Sequence, residues 1–396
     1  MKYKLLISAV YTPEPVVSAR LTEDIYCYLL KKGYKVKVLH PFPTRPAGFQ
    51  FDETIRFGED EILTDSFTCP KNSLVGRIWE SISFGKSCRK FIRIHHDEIE
   101  CIYANAWPIY SQFAIVKAAK KYQIPSIIHV QDIYPESLTN KLPLIIREVV
   151  RSLIMPIDKY ILRKSHKVVA ISEKMKGYLV DTRGIEDSKV DVVINWQDEK
   201  DFLDNKQEIH GEDGKHPFTF MYMGNIGPVA GVDLLIEAFK VAKIDNSCLV
   251  IAGSGSMKES MKKLAHGYSN IDFWDVPNGK VPEVQSMADC MLLPIKKGAA
   301  GSSIPSKLSA YMFSAKPIIG CVDEGSDTAN AILDAKCGWV IEPENVGVLA
   351  RKMEAISQMP SGQLKVLGAN AKEYGMMKLS KDVNLGKLVN IIVDCQ

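Results

Sequence analysis

No apolar run in the sequence approaches the ~20 residues that a membrane-crossing helix needs, so no such helix is expected. No C-x-x-C pair occurs either. The nine cysteines are scattered, with no His cluster beside them. That argues against a zinc site or a disulfide frame, and for buried thiols in a reducing cytoplasm. The first residues, Met1 to Ile7, run directly into a strand pattern and lack the small-residue cleavage site of a secretory signal. The turn after that strand has no G-x-G-x-x-G, so the dinucleotide fingerprint is missing from the first strand–helix–strand unit.

What is present is a globular composition over a long chain. With 396 residues, 46% of them hydrophobic and 24% charged, two domains are expected. The net charge of +3 hides an asymmetry. Residues 1–170 carry 25 Lys and Arg against 17 Asp and Glu, or +8, and the remainder carries 25 against 30, or −5. The basic half suggests an anionic surface as its partner.

Strands and helices alternate throughout. Lys4 to Val10 is a near-continuous apolar run, as in a parallel strand covered on both faces. The turn Tyr11-Thr12-Pro13-Glu14-Pro15 follows, then a helix from about Ser18 to Lys32 closed by Gly33, then a strand at Val36 to Leu39. Residues 41–75 read as irregular. Further strands are expected at Cys101 to Ala104, Ser126 to Val130, Lys167 to Ile171 and Val190 to Ile194. The polar stretch Asn195 to Pro217 reads as a linker. A second series follows it, with strands at Phe218 to Met223, Cys248 to Ala252, Ile271 to Trp274, Ala288 to Leu293, Ile318 to Cys321 and Gly338 to Ile341. The expected fold class is α/β, two doubly wound Rossmann-like domains facing across a cleft.

Three turns of the second half carry small residues where a strand gives way to a helix: Gly224-Asn225-Ile226-Gly227, Gly253-Ser254-Gly255-Ser256, and Gly301-Ser302-Ser303 ahead of Pro305-Ser306-Lys307. Backbone N–H groups and the positive end of a helix dipole meet there, which suits a phosphate. The loop Glu324 to Thr328 follows the next strand. In the first half Asp132 and Glu136 lie just past a strand end, where such folds place ligands, although either could simply cap a helix. The helix Ile78 to Ile94 carries Arg77, Lys86, Arg89, Lys90 and Arg93 among aromatic and aliphatic residues, opposed only by Glu80. This pattern suits an anionic membrane surface or, equally, a helix packed on the sheet with a solvated basic face.

The residues resemble a family. Tyr11-Thr-Pro-Glu-Pro15, Val169-Ala-Ile-Ser172, Val193-Ile-Asn-Trp196, Tyr222-Met-Gly224, Ile251-Ala-Gly-Ser-Gly255 and Lys316-Pro317-Ile318 together resemble the retaining family 4 glycosyltransferases of GT-B fold. The form IPSKLSAYMFSAKP followed by EGSDTA is similar to the bacterial branch that includes N-acetyl-L-fucosamine transferases of surface-polysaccharide assembly. The resemblance implies an acceptor-side domain over 1–200, a nucleotide-sugar domain over 201–365, and helices over 366–396, the last crossing back to the first domain. It implies donor contacts at Gly224, Asn225, Gly227, Gly253, Ser254, Gly255, Trp274, Val276, Ser302, Ser303, Ser306, Lys307 and Glu324. It implies acceptor or sugar contacts at Glu14, Arg20, Asp132 and Glu136. Lys307 and Asp132 would be catalytic, the donor would be a UDP-sugar, and the acceptor a lipid-linked saccharide. No metal or other cofactor, and no nucleic acid, is expected. The location implied is the inner face of the cytoplasmic membrane.

The sequence departs from the family's pattern. The positions of its Glu-x7-Glu are Ser302 and Ala310; those of its Arg and Lys are Asn225 and Ala230; its His before Asp132 is Gln131. Lys307 is then the basic residue left in the matching loop. Two alternatives share the architecture: a UDP-sugar 2-epimerase-like isomerase, and a non-catalytic partner in polysaccharide assembly.

Overall fold

Strands covered on both faces need apolar side chains at every position, and the first strand shows it. In Tyr3–Ser8 (β1) all six residues are buried, including Lys4, whose Nζ donates to Glu100 at 2.9 Å and to the Ile392 carbonyl at 3.3 Å. The computed structural model describes residues 2–45, 57–69, 73–106, 109–139, 142–203, 216–277, 279–298 and 304–395. The chain divides into two compact units, Met1–Val193 with Leu385–Gln396, and Ile194–Asn384.

The first unit adds strands β2 (Val36–Pro41), β3 (Glu61–Thr64), β4 (Ile99–Ala106), β5 (Ser126–Val130), β6 (Lys167–Ala170) and β7 (Val190–Val192). They pair in parallel in the order β3-β2-β1-β4-β5-β6-β7. Helices α1 (Val17–Lys31), α2 (Leu74–His95), α3 (Ile109–Lys121), α4 (Glu136–Thr139), α5 (Leu144–Lys164) and α6 (Glu173–Arg183) connect them. Residues such as Leu5, Ile92, Ile102, Ile128 and Ile161 form one core. Burying each such side chain contributes roughly 1.5–3 kcal/mol before entropy is counted. The edge strand β3 falls within the stretch read as irregular. Its four residues are half-buried or exposed, so it offers no apolar run to detect.

The second unit holds α7 (Lys200–Leu203), β8 (Phe218–Met223), α8 (Val232–Val241), β9 (Ser247–Ala252), α9 (Lys258–Leu264), β10 (Ile271–Trp274), α10 (Val281–Ser286), β11 (Cys290–Pro294), α11 (Ser306–Phe313), β12 (Ile318–Cys321), α12 (Asp327–Asp334), β13 (Gly338–Ile341), α13 (Val346–Ser357) and α14 (Ser361–Lys378). Its sheet is parallel in the order β10-β9-β8-β11-β12-β13. Helix α15 (Lys381–Val393) starts in this unit and continues into the first. Part of the expected linker is structured. Phe202 is buried and packs 5.6 Å from Phe313, and Gln197 bridges to Ser380. Residues 204–215 lie outside the described residues.

Candidate functional site

A doubly wound sheet opens for a ligand where its strand order reverses, at the C-terminal ends of the strands. In the second unit that point lies between β8 and β11. The chain leaves β8 through Gly224, whose φ of +147° is one that side chains rarely adopt. A Cβ there would collide with Cε of Lys307. Lys307 stands in the first turn of α11, directed by Pro305 ahead of it. Its Nζ donates to Tyr222 Oη at 2.6 Å and lies 4.7 Å from that ring's centroid. The Tyr222 hydroxyl in turn donates to the Asn225 carbonyl at 2.6 Å. Tyr311 holds the strand end in place, its hydroxyl accepting from the Met223 amide and donating to the Met223 carbonyl, each at 2.9 Å.

Lys307 makes no ion pair with a carboxylate among the described residues. It is half-buried, and burial holds its pKa below the ordinary lysine value. A cation withdrawn from water without a counter-ion is costly and strongly favours an incoming anion. This is the electrostatic centre of the site.

The two glycine turns lie backbone to backbone. The Gly224 amide donates to Ala252 O at 3.0 Å, Ile226 to Ser254 O at 2.8 Å, and Gly253 to Trp274 O at 2.9 Å. A Cβ on Gly253 would collide with Gly224 O, and one on Gly255 with Ile226 O. Glycine is therefore required at 253 and 255 by the contact between the turns, and a valine at 255 would disturb their packing directly. The amides of Asn225, Gly227, Ser254 and Gly255 make no hydrogen bond among the described residues. They are the donors left for a ligand.

Lys258 was not singled out in the sequence. Its Nζ donates to Gly253 O at 2.8 Å and to Asp275 Oδ1 at 2.6 Å, tying the second turn to the segment after β10. The Trp274 carbonyl accepts from the Gly253 amide, so the segment after β10 is joined to the second turn by backbone as well as by Lys258. The Trp274 side chain lines a hollow of about 860 Å³ with Thr219, Cys248 and Asp272. Ser306 and Glu324 are exposed, while Ser302 and Ser303 lie outside the described residues.

The first unit treats its strand ends differently. Asp132 is exposed just past β5. Glu136 is not open to a ligand as the sequence reading had it. It accepts from Arg183 at 2.6 Å and from Tyr178 at 2.7 Å. Burial pushes its pKa up, but those hydrogen bonds outweigh burial and leave it below the usual carboxylate value. Glu14 is buried and accepts from the Thr44 and Arg45 amides at 2.7 and 2.8 Å, so it anchors that segment. Burial raises its pKa despite those bonds. Arg20 is exposed on α1. The nearby His129 is fully buried against Tyr103 Oη at 2.7 Å, and burial lowers its pKa to about 3.

On α2, Arg77 is held by Glu80 at 3.0 Å, and Arg45 by the same carboxylate at 2.8 Å. Arg77 is thereby removed from the open basic face. Lys86, Arg89, Lys90 and Arg93 are exposed. Among the described residues no helix is long and apolar enough to cross a membrane, and no three His, Cys, Asp or Glu residues are grouped to hold a metal ion.

Two parallel doubly wound units define the GT-B architecture shared by solved glycosyltransferases. Residues 18–200 match the profile described as Glycosyltransferase Family 4, and residues 204–374 that of Glycosyl transferases group 1. The chain is thus built from the two domain types of these glycosyltransferases. WbjE of Pseudomonas aeruginosa, named as a glycosyltransferase, is 23% identical over 279 residues, covering 66% of this chain and 68% of that one. WcaI of Escherichia coli K12, named as a colanic acid biosynthesis glycosyl transferase, is 26% identical over 213 residues, covering 52% of this chain and 47% of that one. Anabaena Alr3699/HepE, solved in complex with UDP, shares the fold at a TM-score of 0.66 and 12% identity, covering 99% of this chain and all of the other.

Proposed function

We propose that the protein transfers a hexosyl group from a UDP-sugar to a lipid-linked glycan acceptor with retention, in the assembly of capsule, O-antigen or exopolysaccharide. The sequence resemblance favours an acetamido-sugar. One observation carries the reading: the half-buried Lys307 ammonium, without a carboxylate partner among the described residues, beside turns that keep amides available. Such a group stabilises the negative charge that develops on a leaving diphosphate. The relative named for colanic acid biosynthesis and the fold neighbour solved with UDP support the pathway class and the donor.

In this mechanism Lys307 and the amides of Asn225, Gly227, Ser254 and Gly255 bind the diphosphate. As the glycosidic bond breaks, charge builds on the diphosphate oxygen and Lys307 balances it. The acceptor hydroxyl attacks from the same face and gives its proton to the departing diphosphate, so no carboxylate nucleophile is needed. Asp132 orients the acceptor from the first unit. The exposed cations of α2 hold the protein peripherally at an anionic membrane.

The test is a thermal-shift screen across UDP-, GDP-, ADP- and TDP-sugars, since specific binding raises the midpoint by mass action. UDP-sugars alone should raise it. Asp132→Ala should keep that shift and lose sugar transfer. A shift with GDP-sugars only, or none with any nucleotide sugar, overturns the reading.

A further inference from the structure

We infer that the hollow between α2 and α3 is a second anion site, one that takes a phosphomonoester or diphosphate group. It has a volume of about 460 Å³ and belongs wholly to the first unit. That volume lies within the range of small-ligand sites. Lys86, Arg89, Lys90 and Arg93 line it from α2, and Lys117 and Lys121 from α3.

The spacing is the first argument. The four α2 cations fall at i, i+3, i+4 and i+7, a single face of a helix, and the two on α3 at i and i+4. Like charges at these spacings destabilise a helix, and an ordinary solvated face intersperses the opposite sign. None of the six forms an ion pair with a carboxylate among the described residues. Instead Lys86 leans over Trp79 at 5.4 Å, Lys117 over Phe113 at 5.6 Å and Lys121 over Tyr122 at 5.3 Å.

The crossing of the helices is the second argument. A Cβ on Gly85 would lie 2.9 Å from Ser111 Cα and 3.1 Å from Ala114 Cβ, so α2 and α3 meet at backbone distance. Ser81 Oγ accepts from the amides of Tyr110 and Ser111 at 3.1 and 3.2 Å, fastening the start of α3 to α2. The two cationic stripes therefore cannot splay apart to relieve their repulsion. A monovalent anion would leave most of this charge unbalanced. A doubly charged phosphate offers several oxygens to the guanidinium forks of Arg89 and Arg93 and to the ammonium groups around them. The inference stands apart from the proposed membrane contact, because it includes α3 and calls for a saturable site where a flat basic face would give diffuse attraction. The phosphate could belong to a lipid headgroup or to a soluble ester.

The experiment titrates the full-length Lys307→Met chain with inorganic pyrophosphate, so that the cation of the second unit does not contribute. Saturable binding is expected, weakened about tenfold or more in Lys117→Gln/Lys121→Gln. A single Lys117→Gln chain with an unchanged circular dichroism spectrum guards against misfolding, and it too should bind more weakly. Flotation then separates the sources, with vesicles of phosphatidate against phosphatidylglycerol. Preference for phosphatidate, lost in the double variant, identifies a lipid phosphomonoester. Pyrophosphate binding without flotation identifies a soluble ester; it upholds this site while removing the membrane contact from the proposed function. No pyrophosphate isotherm, or one unaltered by the α3 substitutions, overturns the inference, as does equal flotation on both lipids without an isotherm.

Discussion

The two units share a doubly wound plan and treat the polar groups at their openings differently. Both sheets reverse strand order beside their first strand, β1 against β4 and β8 against β11. In the second unit the chain leaves β8 through glycine and presses against the turn a lysine that has no carboxylate partner among the described residues. In the first it leaves β1 through Tyr11 to Pro15, and Glu14 there is consumed by the Thr44 and Arg45 amides. Further along, Glu136 and Asp158 are consumed by Arg183. The fold decides where each opening lies. The loops decide whether polar groups are closed within the protein or kept for a ligand. Three substitutions can break or sharpen that contrast.

The largest effect is expected in the first unit. Arg183 is fully buried and donates to Asp158 and Glu136, both at 2.6 Å. Arg183→Met would leave the largely buried Asp158 without its cation and Glu136 with the more distant Arg151 at 3.9 Å, which costs about 3–5 kcal/mol. Urea unfolding should show that loss, while UDP binding by the chain under native conditions stays unchanged. A stability loss below about 1 kcal/mol would show that the pair is no closed structural network.

The second substitution gives the inverse pattern. Lys307→Ala should lower turnover by ~10²-fold or more, as when one charge-stabilising donor is lost from an active site. Its thermal midpoint should stay level or rise, because the cation it removes is half-buried and has no carboxylate partner among the described residues. Wild-type turnover would falsify the assignment of Lys307 to the leaving group. A lowered midpoint would mark Lys307 as a structural residue.

How much of this was legible follows the range of the contacts. The strands Phe218–Met223 and Ile318–Cys321 match their sequence reading, since nearly all of their side chains are buried and so apolar. The edge strand β3 was not legible, because half-exposed residues carry no such run. Lys307 could be singled out because it follows its own loop. Its partner Tyr222 could not, since the hydroxyl bond that ties it to Lys307 spans 85 positions. Lys258 sits two residues after the Gly253-Ser254-Gly255-Ser256 turn, a signal that was available, but its bond to Asp275 spans 17 positions. Glu136 is the converse case: nothing local announces that Arg183, 47 residues on, will claim it.

The smallest effect tests whether Lys307 is positioned or merely present. Tyr222→Phe keeps the ring under the ammonium and removes only the hydroxyl that accepts from Nζ and donates to Asn225 O. Losing one such hydrogen bond costs about 1 kcal/mol, so UDP should bind about fivefold more weakly. The pH dependence supplies the second readout. Burial lowers the folded-state pKa of Lys307 below the ordinary 10.5. Between those two values the unfolded chain holds more protons than the folded one, so the stability of the free protein contributed by this group rises with pH. A bound diphosphate favours the ammonium, raises its pKa and removes that slope. UDP affinity should accordingly fall as pH rises through the depressed value, in both the wild type and Tyr222→Phe. Calorimetric titrations at stepped pH read this directly. An affinity that holds level up to the pKa of a free lysine would mean that the diphosphate rests on the backbone amides, with Lys307 outside its reach.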